Sequence, residues 1–202
     1  TYSANIKYPA LRSAIRSLLI SGDYNFKDMY NETTGVVTSD KSISNYSANF
    51  IFQNIDKILL GGYMQAVFSQ SFGELDLSGA PSDLSSDQSS SGAKTDGNFS
   101  KSYMQFLRIQ RIAERLDIQI LGSMQLANKN LDSSEKFTLG GIGGVRAYPS
   151  GEASGDEGRK ISFDLKYKPS SSYTKLFDSI QFGLFYDYGN IKQYKDLLNI
   201  SM

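Results

Sequence analysis

Apolar and polar side chains alternate at every second position over six separate stretches of this chain. Successive side chains leave a β-strand on opposite faces, so the pattern describes half-buried strands. In 18–26, Leu18, Ile20, Gly22, Tyr24 and Phe26 share one face; Leu19, Ser21, Asp23 and Asn25 take the other. In 44–52, Tyr46, Ala48, Phe50 and Phe52 oppose Asn45, Ser47 and Asn49, and Met64, Ala66, Phe68 and Phe72 form a similar row. Ile118, Ile120, Met124 and Leu126 oppose Gln119, Ser123 and Gln125. The clearest case is Ile161, Phe163, Leu165 and Tyr167 against Lys160, Ser162, Asp164, Lys166 and Lys168. Last, Ile180, Phe182, Leu184, Tyr186 and Tyr188 oppose Gln181, Gly183 and Asp187. By position 103–111 is a further strand, although its faces do not separate, and 2–8 ends an earlier one.

Two environments suit such strands: lipid on one side of a barrel wall, or the core of a soluble β-fold. A spanning helix needs roughly 20 consecutive apolar residues. The longest aliphatic runs are Leu18-Leu19-Ile20 and Ile58-Leu59-Leu60, so only a barrel could cross a bilayer. The connections alternate in length. Long polar ones at 28–42, 78–98 and 128–158 are separated by short ones at 54–61 and 113–116, and a modest one follows at 169–178. Bacterial barrels sort their loops this way, long ones outside and short turns in the periplasm. A charged side chain at the middle of a lipid-facing strand costs about 2–4 kcal/mol, and the apolar rows above carry none. Arg16 lies just beyond the first row, where an interface could hold it. A one-sided soluble sheet would alternate in the same manner. The pattern alone leaves both open.

Composition narrows the function. Lys+Arg and Asp+Glu are both 21, so no basic excess favours nucleic acid. Without His or Cys there is no Ser-His-Asp or Cys-His catalysis, no disulfide framework and no thiolate metal site. The segment 78–98, rich in Ser, Asp and Gly, reads as a solvated surface loop. The chain starts at Thr1 without a signal peptide and is expected to be an internal piece of a longer protein.

The loop 128–158 carries Gly140, Gly141, Gly143 and Gly144, which admit backbone conformations closed to other residues. Val145, Arg146, Ala147, Tyr148 and Pro149 follow, then Gly151, Glu152, Gly155, Asp156 and Glu157. A dinucleotide loop would need a third Gly where Arg146 stands, and the acids do not match EF-hand spacing. Ser154 has no histidine base anywhere in the chain. The residue types by themselves describe a flexible surface loop.

The order of these residues resembles something more specific. L-G-G-x-x-x-V-R-A-Y-P-x-G-E-A-S-G-D-x-G from Leu139 to Gly158, preceded by N-L-D-S-S-E-K-F, is similar to the signature loop of the hemolysin secretion/activation family. These are the ShlB/FhaC/HecB-type, or TpsB, transporters of two-partner (type V) secretion. Residues 46–54, 99–101, 108–110 and 125–130 also look like family strand segments. A second family element, F-x-D-x-G, is matched by Phe185, Asp187 and Gly189. The resemblance implies an all-β fold, an antiparallel transmembrane β-barrel of which the chain holds about seven or eight of roughly 16 strands. It implies that 1–202 is part of a C-terminal barrel domain, that loop 128–158 folds into the lumen, and that the POTRA domains and plug helix are not present.

By the same resemblance Arg146 contacts Asp187 inside the barrel, joined by an acid on the strand after the loop. Asp164 stands there, where relatives more often have Glu. The strand phases agree, because Asp164 and Asp187 both lie opposite the apolar rows. The implied role is a transport latch of Val145, Arg146, Ala147, Tyr148, Asp164 and Asp187. Gly140, Gly141, Gly144, Pro149, Gly151, Glu152, Gly155, Asp156, Phe185 and Gly189 support it. The implied function is non-enzymatic: export of a hemolysin- or adhesin-type exoprotein across the bacterial outer membrane. Outer-membrane lipids and that TpsA-type exoprotein are the partners, with no cofactor, nucleic acid or small-molecule substrate. Two alternatives stand beside it: a BamA/TamA-like barrel-assembly factor, and a soluble β-rich binding module.

Overall fold

The computed structural model describes residues 1–141, 144–149, 151–169 and 180–196. Eight strands form one sheet: β1 (Tyr2–Arg12), β2 (Arg16–Thr33), β3 (Val36–Asp56), β4 (Gly62–Asp76), β5 (Gly97–Ala113), β6 (Leu116–Ala127), β9 (Glu157–Tyr167) and β10 (Phe182–Lys192). Each pairs antiparallel with its neighbour in chain order. Two short strands, β7 (Phe137–Thr138) and β8 (Ser154–Gly155), pair within the loop between β6 and β9. A meander of this kind is what a barrel wall requires.

Cross-strand register sets the rows of the wall. Ile20, Phe50, Phe68, Met104 and Met124 stand side by side across β2 to β6. Ile120, Phe163 and Tyr186 continue a neighbouring row into β10. This face is exposed, with Phe72 60%, Tyr46 61% and Leu184 74% accessible. A soluble sheet would cover such a belt, whereas lipid covers it in a barrel. The opposite face meets the 128–158 loop and is lined by hydrogen-bonded polar side chains. Ser17 Oγ donates to Gln53 Oε1, Gln53 Nε2 to Gln65 Oε1, and Ser69 Oγ to Asn49 Oδ1. At its upper end Ile43, Leu75 and Phe99 are buried beneath Leu77 and Leu131.

Two expectations need correction. The segment 28–42 is not an irregular loop. β2 and β3 run on through it for 18 and 21 residues in all and close on a tight turn at Thr34-Gly35. Both turn residues have positive φ, 53° and 79°, the geometry that matches strand twist in a two-residue hairpin. About 9–11 residues cross the bilayer, so the rest stands above it. Met29 still packs on the upper core and Lys41 pairs with Asp132, but residues 30–38 are exposed on both faces, which removes the alternation that marks a strand. Second, 78–98 is structured. It holds a short helix, α1 (Pro81–Asp87), with Leu77 and Ala80 buried and Leu84 against the upper core. Asp87 accepts hydrogen bonds from the Thr95 and Asp96 backbone N–H groups.

Residues 103–111 form part of β5, as their position implies, and the two faces do not separate because the lower part of the strand is inverted. Leu107 and Ile109 fall on the lumen side, while Arg108 and Gln110 fall in the outward register with Met64 and Gly62. Arg159 also stands outward, beside Met124, so the outer rows are not charge-free at their ends. The connection 169–178 lies almost wholly outside the described residues, and β10 begins at Phe182 rather than Ile180.

Candidate functional site

The loop leaves β6 at Ala127, crosses the polar face and returns at Glu157. Its body is a small folded unit. β7 pairs with β8, Leu139 N–H donates to Ala153 O, and Val145 N–H donates to Leu139 O. Phe137, Leu139 and Val145 are buried together, with Tyr103, Ala153 and Ile191 packed around them. Val145 to Tyr148 make the turn at the tip, where Tyr148 N–H donates to Val145 O.

Glycine permits the close chain crossings. A Cβ on Gly144 would lie 1.9 Å from Leu139 O, and one on Gly140 2.0 Å from Pro149 O. These are backbone atoms that no side-chain rotation can relieve. Gly144→Ala is expected to move the tip and cost about 1–3 kcal/mol of loop stability. Faster proteolysis within the loop, with the barrel still folded, would register it.

The tip carries Arg146 to two neighbouring strands. Its Nη1 donates to Asp164 Oδ1 on β9 at 2.7 Å, and Nη2 to Asp187 Oδ1 on β10 at 2.7 Å. Nε and the backbone N–H of Arg146 both donate to Asp187 Oδ2, at 2.8 and 3.0 Å. The planar guanidinium can meet two carboxylates at once, which a lysine ammonium cannot do with paired bonds. Its carbon lies 4.0 Å from the centroid of the Phe185 ring, a cation–π distance. Asp187 is 5% exposed, Asp164 15% and Arg146 35%.

The spacing of Phe185, Asp187 and Gly189 follows from this packing. All three point into the lumen. Phe185 backs the guanidinium and Asp187 binds it. At Gly189 a Cβ would meet Leu139 Cδ1 at 2.2 Å, so the bare backbone leaves room for the loop's apolar base. Gly155 serves a similar purpose against Ile191 and the Lys192 backbone. Gly141 and Gly151 adopt positive φ. Ala147, Tyr148, Pro149 and Glu152 are exposed and shape or flank the turn; no side-chain bond to the wall joins them to Arg146 among the described residues.

Sequence reasoning missed a second set of contacts. Glu135, 4% exposed, receives Lys27 Nζ at 2.8 Å from β2 and Lys101 Nζ at 2.9 Å from β5. Asn45 Nδ2 of β3 adds a longer bond of 3.4 Å, and Gln125 Nε2 of β6 donates to the Glu135 carbonyl. Asp132 pairs with Lys41 Nζ at 2.6 Å. Asp156 is fully buried and accepts from Leu131 N–H, Lys195 N–H and Lys136 Nζ, closing the loop's base. The usable signal was the inward phase of Lys27 and Lys101, two cations on a lumen wall that require an acid.

Burial alone would raise the Glu135 pKa, but Lys101 and Lys27 outweigh it and hold the carboxyl below its ordinary value. Asp132 is lowered likewise, burial being offset by Lys41 and the Ser134 N–H. A depressed folded pKa contributes stability above the ordinary carboxylate range, and that contribution is lost as pH falls through the folded value. Loop protection from hydrogen exchange should therefore be steady at neutral pH and fall below about pH 4.

The match to known proteins agrees with this geometry. The family model described as haemolysin secretion/activation protein ShlB/FhaC/HecB covers residues 1–199. The chain belongs to this family. HuxB of Haemophilus influenzae, described as a heme/hemopexin transporter protein, is 48% identical over 73 residues, 36% of this chain and 12% of HuxB. CdiB from Escherichia coli has the same fold, with a TM-score of 0.66 over 84% of this chain and 18% identity. CdiB from Acinetobacter baumannii gives 0.65 over 94% at 14% identity. This ShlB-family chain spans 30% and 31% of those two proteins, so it forms part of an antiparallel transmembrane β-barrel. The soluble-module and assembly-factor alternatives give way to a family of outer-membrane two-partner secretion transporters.

Proposed function

We propose that the whole protein exports a TpsA-type exoprotein of the hemolysin or adhesin kind through the lumen of an outer-membrane barrel. Arg146 serves as the latch that holds the lumen loop in its working position. The observation that carries this is one guanidinium bonded to Asp164 and Asp187 on adjoining strands, from a loop that belongs to neither. An ion pair at that place registers the loop against the wall, a conformational role. HuxB is named for heme/hemopexin, and an exoprotein that binds such a ligand is one cargo to try first. The barrel domain, on this reading, works with periplasmic recognition domains and a plug helix elsewhere in the protein. Free energy for export comes from folding of the cargo outside.

The test is export by the full-length protein. A strain deleted for it should retain its exoprotein in the periplasm, and restoring the gene should return the exoprotein to the surface or medium. The protein itself should fractionate with the outer membrane. Undiminished export by the deletion strain would refute the proposal.

A further inference from the structure

The lower edge of the lipid-facing belt is not level. On β6 and β9 the outward row stays apolar down to Leu116, Ile118, Leu165 and Tyr167. On β2, β3 and β5, with Met64 and Gly62 of β4 between them, it gives way earlier, to Arg16, Asn54, Asp56, Arg108 and Gln110. These five face the same side as Phe52 and Phe106, so they form a polar notch in a surface that otherwise faces hydrocarbon. The notch lies at the end carrying the short turns, which is the periplasmic end.

The notch is constructed rather than incidental. Arg108 reaches across β4 to Asp56 on β3, with Nη1 to Oδ2 at 2.5 Å and Nη2 to Oδ1 at 3.0 Å. It can do so because Gly62 stands between: a Cβ there would lie 2.4 Å from Arg108 Nη2. Gln110 accepts from Arg108 and donates to the carbonyls of Ile58 and Gly61, tying the β3–β4 turn to the same cluster. Arg16 is the exposed member. Its guanidinium makes one bond among the described residues, Nε to Asn54 Oδ1 at 3.0 Å. The pair Arg108–Asp56 is neutral, so Arg16 leaves the notch with one net positive charge and Nη groups that have no protein partner among the described residues.

We propose that this notch seats the phosphate of a glycerophospholipid of the periplasmic leaflet. A guanidinium with a free pair of N–H donors binds a phosphodiester by the same forked, charge-assisted geometry it uses for carboxylates. The neighbouring Asn54 and Gln110 amides suit the ester and headgroup oxygens. The acyl chains would lie up the apolar wall over Phe52, Ala66 and Phe106, directly above the notch. The exposed aliphatic turn residues Ile58 and Leu59, 62% and 67% accessible, flank the same headgroup layer from below. A charged group costs little at that depth, and a bound phosphate turns the cost into an attraction. The inference rests on the barrel's seat in a bilayer and not on the identity of the exported cargo.

Native mass spectrometry of the full-length protein, delipidated and then titrated with phosphatidylglycerol or phosphatidylethanolamine, tests it. Wild type should retain a phospholipid that Arg16→Gln and the paired Asp56→Asn/Arg108→Gln variant lose several-fold. Arg111→Gln, at the same rim but facing the lumen beside Asp117, should retain it as wild type does. Loss with phosphatidylglycerol alone would make the headgroup charge, and not the shared phosphate, the recognised feature and would overturn the proposal as stated. Equal retention by all variants, or equal loss that includes Arg111→Gln, would overturn it too. So would a photocrosslinker at position 16 that captures protein instead of lipid in intact membranes. Export assays on the same variants separate this failure from failure of the transport reading.

Discussion

Arg146→Ala in the full-length protein is expected to cut exoprotein export strongly while leaving the barrel folded in the membrane. The substitution removes three side-chain bonds to Asp164 and Asp187 and the contact with Phe185. Breaking a fully buried ion pair costs about 3–5 kcal/mol. Arg146 is 35% exposed, so lumen water screens the loss and the effective cost falls to about 1–3 kcal/mol. That is still enough to shift a two-state loop from mostly docked to largely free, since about 1.4 kcal/mol is tenfold in population. Asp187→Ala should do more harm than Asp164→Ala. Asp187 holds Nε, Nη2 and the backbone N–H of Arg146, whereas Asp164 holds Nη1 alone. Arg146→Lys should fall between, because an ammonium cannot fork to two acids. Immunoblots of exported cargo, set against outer-membrane levels and heat-modifiable migration of the barrel, measure both parts. Export by Arg146→Ala equal to wild type would remove the latch from the mechanism.

Glu135→Ala is expected to free the ascending half of the loop. Two lysine ammoniums from β2 and β5 now converge on one carboxylate that is 4% exposed. Without it Lys27 and Lys101 face each other under the loop with no acid between them. The buried-pair cost of about 3–5 kcal/mol falls to about 2–4 kcal/mol, because Lys27, 36% exposed, can reach water while Lys101, 17% exposed, cannot do so as freely. The Lys101→Ala/Glu135→Ala double variant should recover part of the loss, because it deletes one of the orphaned cations with the acid. Hydrogen exchange over 128–138 in the full-length protein reads the effect directly. Protection unchanged by Glu135→Ala, or a double variant no better than the sum of its parts, would show that the apolar contacts of Leu131 and Phe137 hold the loop unaided. Arg146 and Glu135 anchor opposite ends of the same loop, so the first substitution should loosen the tip and the second the base.

Most of the wall was legible from period two, because lipid on one side and a polar lumen on the other repeat the same demand at every second residue. Where the demand lapsed, the reading lapsed with it. Residues 30–38 of β2 and β3 are exposed on both faces and carry no alternation, so 28–42 read as loop although its backbone bonds continue the sheet. β5 combines outward Arg108 with inward Leu107 and Ile109, which cancels the contrast between its faces. α1 is held by Asp87, Leu84 and the upper core, contacts that a Ser- and Asp-rich segment does not announce. The meeting of Arg146 with Asp164 and Asp187 followed from strand phase joined to the motif, since phase says which way a carboxylate points.

The Glu135 anchorage could not be reached that way. Strand phase places Lys27 and Lys101 on the lumen side, but it says nothing about how deep a loop dips or which of its acids arrives between them. Chain order alone determined an antiparallel wall with one apolar and one polar face, because alternation is a property of neighbours along the backbone. Only the tertiary structure decided that Glu135, 34 residues from Lys101 and 108 from Lys27, completes a buried cluster with both. The physical reason is range: side-chain direction is set locally by the pleat, whereas ion pairing across a lumen depends on where a folded loop comes to rest.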